Sequence, residues 1–474
     1  MKNLYLLIFI MVTAFRGGRV DAIRDQVKPE AQQQRVWVIR HVNIIPMTAE
    51  NKVIENATVL IRGNHIISIN GAVPDSAEII DGKGKWLIPG LIDMHVHIPV
   101  DGHFNTTYPT RAAAIFTNTQ HIMTPFVANG VTTVFELNAR AGHIGQRNEI
   151  LRGDVVGPRM ALAGMIDGGE GDGRMANNPA DGRQAVRMAK AEGYEFIKVY
   201  SKLNIETYQA IADEAFKQGM KMVGHIPNAF KGKIAEAFVP NLGLIAHAEE
   251  LFKQTEGYDG QDPKQLAQLA KVNGTWLCPT LGIIHAAAEM GRSLDPLRSS
   301  LNLKYVHPLL QSKWLTANNY NKHATPESLT RLGRMKEFND QLVKAFKEAG
   351  VPILAGTDAG SSGVIWGFSM HRELELLVNA GLTPEEALIS ATRLPATWLG
   401  LERFTGTVEA GKFADLVLLD ANPLQEISNT QKIAGVFVNG KWLDKQQIET
   451  MLLDLTKQNA ANKSKYDWNK RIEY

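Results

Sequence analysis

Cysteine is almost missing from this chain: its 474 residues include one, Cys278. A single thiol excludes an intrachain disulfide, a cysteine-based structural zinc site and an iron–sulfur cluster. It also leaves no cysteine near the N-terminus to carry a lipid. Excess charge is missing too, since 51 Lys and Arg against 49 Asp and Glu leave a formal net charge of +2. No electrostatic footprint for nucleic acid or an anionic membrane follows from that balance, so substrate recognition must be local. Repeats and low-complexity tracts are absent. The glycine-rich stretch DGGEGDG, 167–173, is not followed by G-K-[ST], which excludes a phosphate cradle and leaves a lid or pocket wall. Long apolar runs are confined to the start. The run Leu4 to Phe15 is too short to span a bilayer. With Lys2 before it and Val20-Asp21-Ala22 after it, the run fits a secretory signal. Residues 1–22 are therefore expected to be removed, giving a periplasmic or secreted protein with no stable membrane anchor. Nothing in the sequence forbids a homo-oligomer.

What is present is an ordinary globular composition, 44% hydrophobic and 21% charged, in a chain long enough for a large domain plus a small one. The pattern from Arg35 to Trp86 is short and β-like, with Gly63-Asn64 as a turn between two apolar runs. The same texture returns in FADLVLLD and AGVFVNGKWL, where Asn439-Gly440 marks a hairpin. Between these ends, strand-like runs alternate with helical stretches: LIDMHVHI, GVTTVFEL, RMALAGMI, FIKVY, KMVGHI, GLIAHA, TWLCPT and VPILAGTD. Eight such runs predict a (β/α)8 barrel. The barrel is expected over 89–400, inserted between the two halves, 23–88 and 401–445, of a small β-sandwich, with a helical tail over 446–474. Thr383, Pro384 and Glu386 spell a helix start with a capping box, just after Gly381 ends the preceding helix.

Residues two apart on a strand share a face, so His95 and His97 can both reach one point in a barrel mouth. Among 13 histidines an H-x-H triplet arises by chance in roughly one such sequence in three, so its context must decide. The run LIPGLIDM leads into the pair as a barrel strand delivering ligands at its C-terminal end would. Three later runs end in the same way, at His225, His247 and Asp358. Imidazole and carboxylate are ordinary ligands for zinc and related divalent cations. Lys198, in the middle of FIKVY, has three donors and no acceptor. It is either a rim ion pair or a carbamate, formed with CO2, whose two oxygens bridge two cations.

The order H-x-H, Lys, His, His, Asp on successive strands resembles the amidohydrolase superfamily, in its binuclear carboxylated-lysine subtype. The late segments ELELLVNAGLTPEEALISATRLPATWLGL and GTVEAGKFADLVLLDANPL resemble its imidazolonepropionase-related and Xaa-Pro dipeptidase-like branch. The resemblance implies one metal on His95, His97 and Asp358, a second on His225 and His247, and carboxylated Lys198 bridging both. One departure stands out: many dipeptidase-like relatives carry His-Ala-His at the fifth strand, where this chain has Val223-Gly224-His225-Ile226-Pro227.

Two close cations would lower the pKa of a shared water and supply a hydroxide for attack on a carbonyl. Asp358 is the candidate proton carrier to the leaving nitrogen. Tyr200, on the strand face of Lys198, is either a donor to the developing oxyanion or an amphipathic rim residue. His285 is a pocket candidate and His371 a candidate to orient a ligand from behind, each weighed against plain packing. His103, His121, His143, His307 and His323 are assigned to surface or packing. The expected reaction is hydrolysis of an amide C–N bond in a dipeptide or N-acyl amino acid. The alternatives are cyclic-amide hydrolysis or heterocycle deamination on the same scaffold, and a non-catalytic binding protein on a retained barrel.

Overall fold

A computed structural model describes residues 35–100, 118–169, 173–257 and 262–473. The leader assigned to 1–22, the middle of the glycine-rich stretch and His103 lie outside the described residues. The first five strands are β1 (Val36–Ile44), β2 (Ile54–Arg62), β3 (His65–Ile69), β4 (Glu78–Asp81) and β5 (Trp86–Pro89). Next come β6 (Leu91–Val96), β7 (Val131–Ala139), β8 (Arg159–Asp167), the short β9 (Arg174–Met175), β10 (Phe196–Val199), β11 (Met222–Gly224), β12 (Leu242–Ala246) and β13 (Trp276–Cys278). The last three are β14 (Leu416–Leu419), β15 (Ile433–Val438) and β16 (Lys441–Asp444).

Strands β6, β7, β8, β10, β11, β12 and β13 pair in parallel, in that order. All of β6, β7 but one residue, and β8 are buried, as parallel strands covered by helices on one side and core on the other require. The eighth run, VPILAGTD, closes the ring, but not as a regular strand. It bridges β13 at Leu277↔Ile353 and β6 at Val96↔Ala359. The Asp358 amide bonds the His95 carbonyl at 2.8 Å, and the His97 amide bonds the Ala359 carbonyl at 2.7 Å. A pleated ladder is interrupted there because Asp358 takes φ +60°, outside the strand region.

Inside the barrel, Met94, Phe135, Phe196, Val223, Leu244 and Trp398 form one buried cluster. Trp398, from helix Arg393–Leu399, stacks on Phe196 at 5.3 Å between ring centroids. The lower half is a packed plug, so chemistry is left to the C-terminal rim.

Strands from both chain ends make a second sheet, ordered β16-β15-β14-β5-β1-β2-β3, with β4 on β1. Gly63 and Asn64 link β2 to β3, and Asn439 (φ +48°) with Gly440 (φ +77°) links β15 to β16, the backbone of a type I′ turn. The sheet curls until β3 meets the chain before β14, where His65 bridges Phe413. Ile39, Val42, Val59, Leu416 and Phe437 fill its interior. Helix Lys445–Asn462 packs outside the barrel, its Asn459 amide donating to the carbonyls of Lys304 and Val306.

Candidate metal centre

Strand β6 brings His95 and His97 to the rim, and the eighth run brings Asp358 between them. His95 Nε2 lies 3.3 Å from His97 Nε2, and each lies 3.1 Å from Asp358 Oδ1. Ligands at ~2.0–2.1 Å from a tetrahedral cation sit about 3.3 Å apart, so this triangle has the size of three corners of a coordination shell. These three residues form the metal-ligand group found among the described residues. Ser361 donates its hydroxyl to the other Asp358 oxygen at 2.8 Å.

The remaining sequence candidates continue from the triangle as an arc of rings. His247, just past β12, stands 4.4 Å from the His95 ring, and His225, just past β11, stands 4.9 Å from His247. Tyr200 packs on His225 at 4.0 Å. Each outer imidazole is held at Nδ1, His225 by the Ser201 hydroxyl at 2.9 Å and His247 by the Thr280 hydroxyl at 2.8 Å. Both Nε2 atoms are thereby left as the ligand-side nitrogens. Lys198, also buried, has no hydrogen-bond partner for Nζ among the described residues.

Electrostatics at three of the four imidazoles suit cation binding; at the fourth, His97, burial works downward but Asp358 and then Glu136 raise it to about 10. Burial, with the Lys198 charge adding to it, pushes His225 well below its ordinary value and His95 down to about 4. Burial and the nearby His95 do the same to His247. These lowered values favour the neutral imidazole, the form that ligates. Burial lowers Lys198 to about 8, against the pull of Asp358 and Glu250. Burial alone would raise Asp358, but the field of His95 and hydrogen bonds from His95 and His97 hold its carboxylate well below the usual range. The donor set, its spacing and the orphaned Lys198 amine all fit divalent cations.

Local backbone follows the site. His247 (φ +77°), Thr280 (φ +48°) and Asp358 (φ +60°) all adopt the left-handed region, a cost that collects at functional positions. Gly224, at the fifth strand, is fixed by close packing. A Cβ there would stand 2.1 Å from the Val199 carbonyl oxygen, so the residue before His225 can only be glycine.

Some supporting residues were not visible in the sequence. Glu136, fully buried on β7, faces His97 Nδ1 at 3.6 Å and accepts a hydrogen bond from the Ile98 amide. His143 lies against the far side of that carboxylate at 3.6 Å, itself buried and bonded to the Ile98 carbonyl at 2.8 Å. Trp366 donates its indole N–H to the His97 carbonyl at 3.0 Å. Two candidates do not join the cluster. His285 lies on helix Leu281–Arg292, which packs on helices Pro326–Ala349 and Phe368–Asn379, and burial, then Lys336 and Arg372, lower it to about 4. His371 turns to the returning C-terminal segment, its Nδ1 on the Thr430 hydroxyl at 2.9 Å. Both sit on helices whose inward faces are set by packing.

A (β/α)8 barrel with a rim cluster of imidazoles and a carboxylate defines a class, the metal-dependent barrel hydrolases. Residues 86–443 match the model of the amidohydrolase family, and the chain belongs to that family. It is an enzyme acting on carbon–nitrogen bonds of small molecules. It is 24% identical over 442 residues to the imidazolonepropionase of Thermoplasma volcanium, covering 85% of this chain and 92% of that protein. A 5-methylthioadenosine/S-adenosylhomocysteine deaminase of Bacillus cereus is 21% identical over 450 residues, with shares of 85% and 92%. In fold it is similar to a Xaa-Pro dipeptidase solved with methionine in its active site, with a TM-score of 0.64, 23% identity, and coverage of 86% of this chain and 100% of that one.

Proposed function

We propose that this enzyme hydrolyses the amide bond of a dipeptide or an N-acyl amino acid, in the manner of a prolidase. One cation would be held by His95, His97 and Asp358 and a second by His225 and His247, with carboxylated Lys198 between them. The observation that carries this reading is the buried Lys198 amine, without a hydrogen-bond partner among the described residues, whose charge adds to burial in lowering His95, His225 and His247. An ammonium there is costly, whereas a carbamate would turn the same side chain into a bridging acceptor. The fold likeness to a Xaa-Pro dipeptidase supports the substrate class.

When bound, the cations would polarise the scissile carbonyl and bring the pKa of a water toward neutrality. Asp358 takes that water's proton at its carboxylate and returns it to the leaving nitrogen. Ser361 keeps the Asp358 carboxylate in place during the transfer. Tyr200, fixed against His225, donates its phenol to the developing oxyanion.

A second reading, cyclic-amide hydrolysis or heterocycle deamination, draws on the sequence likeness to imidazolonepropionase and to the deaminase. Zinc- or manganese-loaded enzyme should be screened against arrayed dipeptides and N-acyl amino acids beside cyclic amides and aminoheterocycles. Turnover confined to the first group is expected. Turnover confined to the second would overturn the prolidase-like reading.

A further inference from the structure

Helix Leu281–Arg292 follows β13 directly and begins without a side-chain cap. The residue before it, Thr280, would ordinarily supply that cap from its hydroxyl. Here the Thr280 hydroxyl is spent on His247 Nδ1 instead, at 2.8 Å. The first two amides of the helix are satisfied from elsewhere. Glu373, fully buried on helix Phe368–Asn379, accepts from the Leu281 amide through Oε1 and from the Gly282 amide through Oε2, both at 2.8 Å.

The arrangement runs in series. Thr280 sits at φ +48°, where a β-branched residue is strained and persists only if its surroundings over-determine it. On one side the strand end holds it, with the His247 amide on the Cys278 carbonyl at 2.9 Å and the Ala248 amide on the Pro279 carbonyl at 3.1 Å. On the other side the Glu373 carboxylate grips the two residues that follow it. A Cβ on Gly282 would stand 3.3 Å from Glu373 Oε2, so the carboxylate lies close against that backbone.

We infer that Glu373 is a positioning residue for the metal centre. By taking over the cap of helix Leu281–Arg292, it frees and fixes the Thr280 hydroxyl to orient His247. This rests on the reading of His247 as a ligand. Glu373 touches neither substrate nor cation; it acts through Thr280.

The test is zinc competition against a chromogenic chelator, on the full chain, with His247→Ala, Thr280→Val, Thr280→Ser, Glu373→Gln and the double variant Thr280→Val/Glu373→Gln. His247→Ala should remove one zinc equivalent, and the inference concerns that equivalent. Thr280→Val and Glu373→Gln should each weaken it about 10- to 100-fold. Thr280→Ser, which keeps the hydroxyl, should bind as the parent does. Because the two residues act in series, the double variant should bind no more weakly than the weaker single one. Parental zinc affinity in Glu373→Gln, or losses that multiply in the double variant, would overturn the inference while leaving His247 a ligand. Unchanged zinc binding in His247→Ala would overturn the ligand reading and the inference with it. Should Glu373→Gln fail to fold, Glu373→Asp keeps the carboxyl group and shortens the reach. It should weaken the same equivalent, and parental affinity there would again contradict the inference.

Discussion

Glu136 stands between two histidines inside the barrel wall, and its environment fixes both its charge and its consequence. Burial works against ionisation, but the field of His143 and the hydrogen bond with His97 outweigh it and hold the carboxyl at about 2. A folded-state value below the ordinary 4.5 means that the stabilisation is present above about pH 4.5 and is lost as the pH falls toward 2. In metal-free protein, wild-type urea midpoints should therefore fall more steeply through that window than those of Glu136→Gln; parallel curves would contradict the assignment. Because Glu136 also fixes the face of His97, the same variant should weaken zinc binding about 10- to 100-fold, read by chelator competition. Asp358→Asn should lower kcat by about 100- to 10,000-fold at saturating dipeptide, checked in a steady-state assay with metal content measured in parallel. His95, His97, His225, His247 and Asp358 were legible because each ends an apolar run, a local pattern. Glu136, Thr280 and Ser201 were not, because each acts on a side chain from another strand, and sequence order does not announce such pairs.

At the scale of elements, the two sheets are joined by a buried ion pair that no hydrophobic pattern reveals. Arg159, the first residue of β8, bonds Asp415 at 2.8 Å with both side chains almost wholly buried. The Asn439 amide of the β15–β16 turn bonds the other Asp415 oxygen at 2.9 Å. Removing one partner strands a buried charge, so Asp415→Ala should cost about 3–5 kcal/mol, measured by urea unfolding. Replacing the pair with apolar residues, as in Arg159→Met/Asp415→Leu, should recover most of that loss. The hairpin itself was readable from Asn439-Gly440, since a I′ turn demands those residues; what it docks against was not. His285 and His371 show the same limit on helices. A rotation of about 100° per residue decides whether a ring meets the barrel mouth or a neighbouring helix, and that rotation is set by packing.

Across the whole molecule, the alternation of eight apolar runs with helical stretches was enough to predict the barrel, because a parallel sheet needs a crossover after every strand. The eighth run departs from a regular strand where it must turn Asp358 toward the histidines. Among the described residues no helix is long and apolar enough to cross a membrane. We propose export through the leader, with cleavage after Ala22; intact mass of the exported protein should place its first residue at Ile23, and a retained Met1 would contradict that. His95 and His97 alone are weak evidence, and the central claim is that Lys198 joins them to His225 and His247 in one two-cation centre. Elemental analysis combined with native mass spectrometry of the active enzyme tests it most directly. The account predicts two divalent cations per chain and the added mass of one CO2, lost in Lys198→Ala; a single cation with an unmodified lysine would contradict it.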